Sequence, residues 1–201
     1  MISKPKKYDE VQIGGDFTPI ELGGHKGIIK SVEEYTSDYS GNTSLKVSVD
    51  TTKDDKQPEY FKELYKNDER PDKKWSNSAI KYVSLKEDEN CVKMLKSFIT
   101  AVENSNPNFT YDWNKEVDQL KNKKVGIVFG LEEFTDQEGN TKTARKLVQF
   151  RSIDKVDNVA IPRVKLLDGT FVEYDKYNEN SNVKANNDEV EIELTDDEFP
   201  F

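Results

Sequence analysis

The chain has only one cysteine, Cys91, and one histidine, His25, in 201 residues. A single cysteine cannot form an internal disulfide, which fits a reducing cytoplasm. Structural and catalytic zinc sites depend mainly on several Cys and His ligands, so one Cys and one His nearly exclude a zinc site. A Ser–His or Cys–His nucleophile would have to use His25, whose glycine-rich surroundings are more typical of a structural turn. We therefore predict no catalytic residue, no metal and no cofactor.

Long hydrophobic runs are also missing. No stretch of about 18 apolar residues is present, so no transmembrane helix is predicted. Residues 1–7 contain lysines with no apolar segment after them, so no signal peptide is predicted either. The phosphate-cradling pattern Gly-x-x-x-x-Gly-Lys-Ser/Thr does not occur. The sequence thus predicts a soluble cytoplasmic protein that is not a P-loop nucleoside triphosphatase.

Acidic residues exceed basic ones, and the formal net charge is -9. The excess lies at one end of the chain. Residues 1–165 hold 28 residues of each sign, whereas residues 166–201 hold 2 basic and 11 acidic residues. A neutral body can still present a basic groove if its acids cluster on another face. The overall sign therefore does not exclude a nucleic-acid partner.

Alternating apolar residues predict two β-hairpins. The first joins residues 25–36 to residues 45–52 through a Ser-Gly-Asn turn. The second joins residues 124–135 to residues 142–153 through a turn at residues 136–140. These hairpins supply strands one and two and strands four and five.

The segment between the hairpins predicts a third strand, over residues 73–85, and then a helix over residues 88–103. Apolar side chains recur in that helix at three- and four-residue steps, which predicts an amphipathic helix that caps the core. They are Cys91, Met94, Leu95, Phe98 and Val102. Residues 60–67 are expected to form a short helix or loop, residues 115–122 a short helical turn, and residues 159–172 an extended segment.

This element order is that of the five-stranded Greek-key barrel that binds oligonucleotides, the OB fold. We therefore predict an all-β class, mainly β with one capping helix, for residues 1–175. Residues 176–187 are too polar to bury themselves and are expected to form a flexible linker. Residues 188–201 are acidic and are expected to form a disordered interaction tail.

The last residues combine acids with proline and a terminal aromatic residue. Phe201 carries a ring and the α-carboxylate together, and Pro200 favours an extended backbone. The acids would steer this segment towards a basic partner surface, where an apolar pocket beside a cation would hold it. The predicted partner-binding residues are Asp196, Asp197, Glu198, Phe199, Pro200 and Phe201.

Residues 196–201 resemble the tail of bacterial single-stranded DNA-binding proteins, in which acids precede an apolar residue, proline and a terminal phenylalanine. The body is similar instead to phage-encoded replication-module proteins of Gram-positive hosts. The similarity lies in Gly23-Gly24, in Ser105-Asn106 and in the Gly-Ile-Val-Phe-Gly-Leu-Glu-Glu segment of residues 126–133. These resemblances imply coating of single-stranded DNA during replication or recombination in the host cytoplasm. They also imply tail contacts with replication or recombination proteins.

Binding to single strands requires aromatic platforms for bases and cations for phosphates. Trp75 is the favoured stacking residue, and Arg145, Gln149 and Arg151 are expected to share one face of strand five by alternation. The predicted DNA-binding residues are Tyr35, Tyr39, Lys46, Lys73, Lys74, Trp75, Lys81, Tyr82, Lys142, Arg145 and Arg151. The alternative for each aromatic residue is a place in the core, and for each cation a solvated surface.

Two other functions stay open. A metal-dependent nuclease would need acidic pairs, such as Asp54-Asp55, to converge on one ion, but adjacent residues of a strand face opposite sides. The other such pairs are Glu33-Glu34 and Glu132-Glu133. A pure adaptor would bind proteins and no DNA. The sequence also leaves open the oligomeric state, including a homo-oligomer, and the preference between DNA and RNA.

Overall fold

The structure, a computed structural model, describes residues 18–178. Within this range the protein is mainly β, as predicted. The strands are β1 (Gly23–Thr36), β2 (Thr43–Thr51), β3 (Ile80–Ser84), β4 (Lys124–Thr135), β5 (Thr141–Arg151), β6 (Val164–Lys165) and β7 (Phe171–Val172). The helices are α1 (Tyr60–Asn67) and α2 (Glu89–Ser105), with 3-10 turns at Asn77–Ala79, Val117–Leu120 and Ile153–Lys155. A last helical turn covers residues 174–178.

The long strand β1 joins the two halves of the sheet. Its first part, from Gly23 to Ile28, pairs antiparallel with β4, and its second part, from Gly27 to Thr36, pairs antiparallel with β2. A β-bulge between Ile29 and Ser31 lies where the strand passes from one half to the other, and such bulges increase local twist. Both predicted hairpins are confirmed, because β2 follows β1 and β5 follows β4 as antiparallel partners.

The predicted closed barrel is not present among the described residues. The strands form an open mixed sheet in the order β3-β2-β1-β4-β6-β7, with β5 paired to β4 and no ladder between β3 and β5. The third strand is also shorter than the predicted residues 73–85. Trp75 donates its Nε1–H to the Val49 carbonyl at 3.0 Å, and the Ser76 side chain caps the following 3-10 turn. These contacts hold the first half of the segment out of the sheet.

The core lies between the sheet and α2. Its most deeply buried phenylalanine rings are Phe61, Phe98 and Phe129, all 1% exposed or less. The helix begins where predicted, because the Asp88 side chain accepts a hydrogen bond from the Cys91 N–H at 3.0 Å. Its predicted apolar stripe is wrong at Met94, which is 46% exposed, whereas Leu95 packs against the core as predicted. The buried apolar side chains of α2 all lie in its second half and are Phe98, Ile99, Ala101 and Val102.

Two glycines allow the chain after β5 to cross the outer side of β1 and β4. A Cβ at Gly24 would lie 2.0 Å from the Val156 carbonyl oxygen, and one at Gly126 would lie 2.3 Å from Val156 Cγ1. Val156 is buried there, at 1% exposed. The predicted extended segment, residues 159–172, contributes β6, which pairs in parallel with β4 at Glu132 and Lys165.

A buried hydrogen bond between His25 and Asp55 fixes the start of β1. His25 is 1% exposed, its Nδ1 lies 2.8 Å from Asp55 Oδ1, and its Nε2 lies 3.0 Å from the Glu21 carbonyl oxygen. Both ring nitrogens therefore lie within hydrogen-bonding distance of an oxygen atom. Burial alone would raise the pKa of Asp55, but hydrogen bonds from His25 and from the Gln57 and Lys26 N–H groups hold it below its usual value.

No helix within residues 18–178 combines the length and the apolar character that crossing a bilayer requires. Several predictions concern residues outside the described range. They are the predictions for residues 1–7, for most of the linker (residues 176–187) and for the whole tail (residues 188–201).

Candidate nucleic-acid interface

The outer face of β1, β2 and β3 carries the densest group of predicted DNA-binding residues. Leu45 and Val47 point from β2 into the core, so Lys46 between them points outward. In the strand register Lys46 is opposite Glu33 on one side and Tyr82 on the other. Two residues further along each strand, Tyr35 on β1 is opposite Ser44 on β2. We call Tyr35, Lys46 and Tyr82 the aromatic face.

The two tyrosine rings of the aromatic face meet above β2. Tyr35 lies on β1 and Tyr82 on β3, which flank β2 and are therefore about 10 Å apart. Their ring centroids nevertheless lie 5.4 Å apart with planes inclined by 57°. The small Ser44 occupies the position beneath, opposite both Tyr35 and Ser84. The rings are 39% and 43% exposed, so each keeps a surface that a base can contact.

Lys46 places a positive charge beside these rings. Its Nζ lies 2.8 Å from Glu33 Oε1, and this hydrogen bond raises the pKa of Lys46 above its usual value. Lys46 is therefore charged across the physiological pH range. The Glu33 side chain is 58% exposed, so it can rotate into solvent if a phosphate takes its place beside Lys46.

Tyr39 extends the aromatic face at the tip of the first hairpin. It is 92% exposed in the turn between β1 and β2. That turn is closed by a hydrogen bond from the Ser37 N–H to the Asn42 carbonyl at 3.0 Å, and Gly41 supplies the positive φ of +65° that it needs. The backbone of the turn is thus fixed while its tyrosine side chain stays accessible.

A second aromatic group contains the favoured stacking residue, Trp75. Its ring is half-buried against the core, and its centroid lies 5.9 Å from that of Tyr65 on α1. Lys73 Nζ lies 4.9 Å above the Tyr65 ring, within cation–π distance, and Lys74 is exposed next to it. Trp75 lies outside β3, in the segment before the 3-10 turn, so its assignment to a strand is wrong. Its role in stacking stays a prediction.

Lys81 faces the opposite side of β3 from Tyr82. Its register partner on β2 is Val47, a core residue, so its side chain lies on the inner face at the open edge of the sheet. Burial lowers the pKa of Lys81, and the charge of Glu132 opposes this shift. The structure therefore does not place Lys81 with the aromatic face.

The three predicted cations of β5 are dispersed. Lys142 forms an ion pair of 2.9 Å with Asp136 in the β4–β5 turn, and a guanidinium nitrogen of Arg145 donates to the Ile20 carbonyl oxygen. Arg151 is exposed and donates from Nε to Gln149 Oε1 at 3.1 Å.

The prediction that Arg145 shares a face with Gln149 and Arg151 is wrong. The β4–β5 register shifts at Val148, where Gln149 pairs with Val128 and Leu147 with Phe129. This bulge adds one residue to β5, so every side chain before it lies on the face opposite to that expected from simple alternation. Arg145 consequently points to the same side as Leu147.

The residues considered for catalysis do not form a recognisable centre. His25 is buried with both ring nitrogens bonded, and its partner Asp55 is buried too. Within residues 18–178 no three His, Cys, Asp or Glu side chains gather as metal ligands. The predicted partner-binding residues, Asp196 to Phe201, lie outside the described part of the chain.

The sequence patterns could not show which outward residues of neighbouring strands lie side by side, because that depends on the strand register. Tyr35 and Tyr82 are 47 positions apart, and only the pairing of both strands with β2 brings them together. Ser44 was a further signal, because a small outward residue on the central strand leaves room for rings from both neighbours.

No protein-family model matches the sequence, and no curated protein matches it either.

Proposed function

We propose that this chain is a single-stranded DNA-binding protein with a body of the OB type. Bases stack on Tyr35 and Tyr82, Lys46 contacts the phosphates, and Tyr39 extends the contact at the hairpin tip. The observation that carries the proposal is the exposed tyrosine pair, whose rings lie 5.4 Å apart beside the Lys46 ammonium. Stacked bases and paired phosphates are what sequence-tolerant binding of a single strand requires.

The strand order supports the OB assignment. A five-stranded Greek-key body of this type places β1 between β2 and β4 and inserts a helix between β3 and β4. Here β1 pairs with both β2 and β4, α2 follows β3, and β5 returns beside β4. The short β3 leaves this arrangement open between β3 and β5. Oligonucleotides bind across the second and third strands in such folds, which is where Lys46 and Tyr82 lie.

The tail supplies the second part of the proposed function. Its acids and Phe201 would dock replication or recombination proteins of the phage or its host, while the body stays on DNA. This part of the proposal depends on the sequence of residues 196–201 and on its resemblance to the tails of bacterial single-stranded DNA-binding proteins.

Binding of fluorescent oligo-dT by a matched pair of double variants tests the proposal. Tyr35→Ala with Tyr82→Ala removes both rings, whereas Tyr35→Phe with Tyr82→Phe keeps them and loses only the hydroxyls. Stacking contributes about 1 to 3 kcal/mol per base, so the alanine variant should bind about tenfold or more weakly. The phenylalanine variant should bind as the wild type does. Equal affinity of the alanine variant and the wild type would contradict the proposal.

The same assay separates the two other functions. Incubating the labelled strand with magnesium or manganese should leave it intact, whereas a nuclease would shorten it. An adaptor that does not bind DNA would give no binding at any salt concentration.

A further inference from the structure

A basic groove lies between α2 and the end of β5, with a volume of about 560 Å³. Four of its eleven lining residues are cations and none is acidic. The cations are Lys93, Lys96, Arg151 and Lys155. Ser97, Thr100, Asn104 and Gln149 add hydroxyl and amide groups. We call this feature the basic groove.

Few acidic side chains lie near the basic groove, so most of its positive charge is not neutralised. Lys93 Nζ forms an exposed ion pair with Glu89 Oε1 at 2.6 Å. The other acid on α2, Glu103, accepts a hydrogen bond from the Tyr111 N–H, away from the groove. Among the described residues, Lys96 and Lys155 have no ion pair within 4 Å. The neighbouring Asp154 is exposed and does not line the groove.

The shape and lining of the groove favour an extended polyanion. Lys93 and Asn104 are eleven residues apart on one helix, so the groove follows about 16 Å of the α2 axis. Its only large apolar side chain is Phe150, which is 7% exposed, and Ala101 is buried as well. Protein interfaces depend on apolar or aromatic anchors at their centre, and this groove presents none. Cations with hydroxyl and amide donors are instead what phosphate groups bind.

We propose that the basic groove binds the sugar-phosphate backbone of the nucleic acid, as a second contact separate from the aromatic face. This inference rests on the proposed function, because the strand that stacks on Tyr35 and Tyr82 is the one whose continuation enters the groove. The groove adds affinity by ion pairing without base stacking. Short strands therefore bind the aromatic face alone, and longer strands bind both.

The test compares two triple variants that remove the same charge. Lys96→Gln, Arg151→Gln and Lys155→Gln neutralise the groove, and all three side chains are exposed. Lys53→Gln, Lys66→Gln and Lys121→Gln form the control, since these exposed lysines lie outside the groove. Affinity for a length series of oligo-dT is measured at several salt concentrations, and urea unfolding verifies that each variant folds.

The groove variant should keep the wild-type affinity for the shortest strands that bind and lose about tenfold for long strands. Its slope of log affinity against log salt on long strands should be smaller by about 2, since each phosphate contact to a single strand contributes about 0.7. The control should change neither the length dependence nor the slope beyond a small uniform shift. The variant with Tyr35→Ala and Tyr82→Ala should bind strands of every length more weakly, and its slope of log affinity against log salt should equal that of the wild type.

Two results would overturn the inference. In the first, the groove variant has the same salt slope and the same long-strand affinity as the control, while the tyrosine variant binds more weakly. That result would rule out the groove contact and leave the proposed function intact. The other is a groove variant that binds DNA normally but loses binding to poly-glutamate, which makes the groove a site for acidic proteins. Failure of the wild type to bind any strand would instead contradict the proposed function itself.

Discussion

Tyr82 and Trp75 are only seven residues apart, yet the structure gives their rings different surroundings. Tyr82 is 43% exposed on the outer face of the sheet and contacts Tyr35. Trp75 packs against the core, and its indole N–H is bonded to the Val49 carbonyl. A ring that fills space between elements contributes to folding, whereas a ring exposed beside a cation is available to a base. We therefore expect Trp75 to affect stability and Tyr82 to affect binding.

Replacing Trp75 with alanine tests this division. Full burial of such a ring is worth about 3 to 5 kcal/mol, and Trp75 is half-buried, so Trp75→Ala should lower the free energy of unfolding by about 2 kcal/mol. Trp113→Ala is the control, since Trp113 is 68% exposed, and it should change stability by about 0.5 kcal/mol or less. Urea unfolding measures both. A Trp75→Ala protein with wild-type stability and weakened oligo-dT binding would restore Trp75 as the stacking residue.

Residue positions could be predicted from the sequence where alternation was uninterrupted. Val125, Ile127 and Phe129 alternate along β4 and are all buried. The face of Arg145 could not be predicted, because one extra residue in β5 changes its side of the sheet and no single residue type marks that bulge. The partner of Lys142 was hidden as well, since its ion pair with Asp136 depends on how the turn closes.

At the scale of elements, the β4–β5 hairpin depends on one carboxylate in its turn. Asp136 Oδ1 accepts hydrogen bonds from the Glu138 and Asn140 N–H groups at 3.0 and 2.7 Å, and Oδ2 lies 2.9 Å from Lys142 Nζ. The Lys142 hydrogen bond is the main reason that the pKa of Asp136 falls to about 2. The ionised carboxylate therefore holds the turn closed.

This pKa predicts a loss of stability in acid. The pKa of Asp136 is about 2 in the folded protein and about 3.9 in an unfolded chain, so its contribution is complete above about pH 4. It is lost as the pH falls towards 2. Asp136→Asn should be less stable than the wild type at pH 6, and the difference should shrink between pH 4 and pH 2. Urea midpoints across this range measure the difference, and a constant gap would contradict the assignment.

Elements with strong periodicity were predictable, and those held by distant contacts were not. Residues 124–135 were predicted as a strand and form β4 with the same bounds. The third strand lost its first half, because contacts of Trp75 and Ser76 outcompete sheet pairing there. In α2 the three- and four-residue pattern was present in every turn, but its buried apolar side chains all lie in the second half, and Met94 in the first half is exposed.

At the scale of the whole molecule, charge is divided along the chain. Residues 1–165 are balanced, and the acidic excess lies in residues 166–201. An acidic segment tethered to a cation-bearing body competes with DNA phosphates for the same cations. Seven acidic residues and no basic ones lie in residues 188–201, so under the proposed function this competition would be concentrated in the tail.

A chain ending at Asn187 should therefore bind oligo-dT as tightly as the full chain or more tightly. The gain should be largest at low salt, where charge interactions are least screened. Fluorescence anisotropy with both proteins at two salt concentrations measures it. Weaker binding by the shortened chain would show that the tail contributes to DNA contact, contrary to its proposed role in docking proteins.

The mainly β class and the order of the first five strands and α2 along the chain followed from local patterns, because two hairpins and an intervening helix were each marked by their own periodicity. Closure did not follow, since it depends on whether β3 and β5 can pair. β3 has only five residues, and no such pairing forms among the described residues. The candidate interface was predictable only in part. Its residue types could be read from the sequence, but the meeting of Tyr35 and Tyr82 above β2 depends on the strand register, which the sequence did not give.

The central claim is that a single strand lies on the outer face of β1, β2 and β3. Photocrosslinking tests it most directly, using oligo-dT with one 5-iodouracil base at successive positions and mass spectrometry of the crosslinked peptides. At low salt the crosslinks should fall on Tyr35, Tyr39 and Tyr82, and they should disappear from Tyr35 and Tyr82 in the double alanine variant. Crosslinks confined to Trp113 or Phe171, or none at all under these conditions, would contradict the claim.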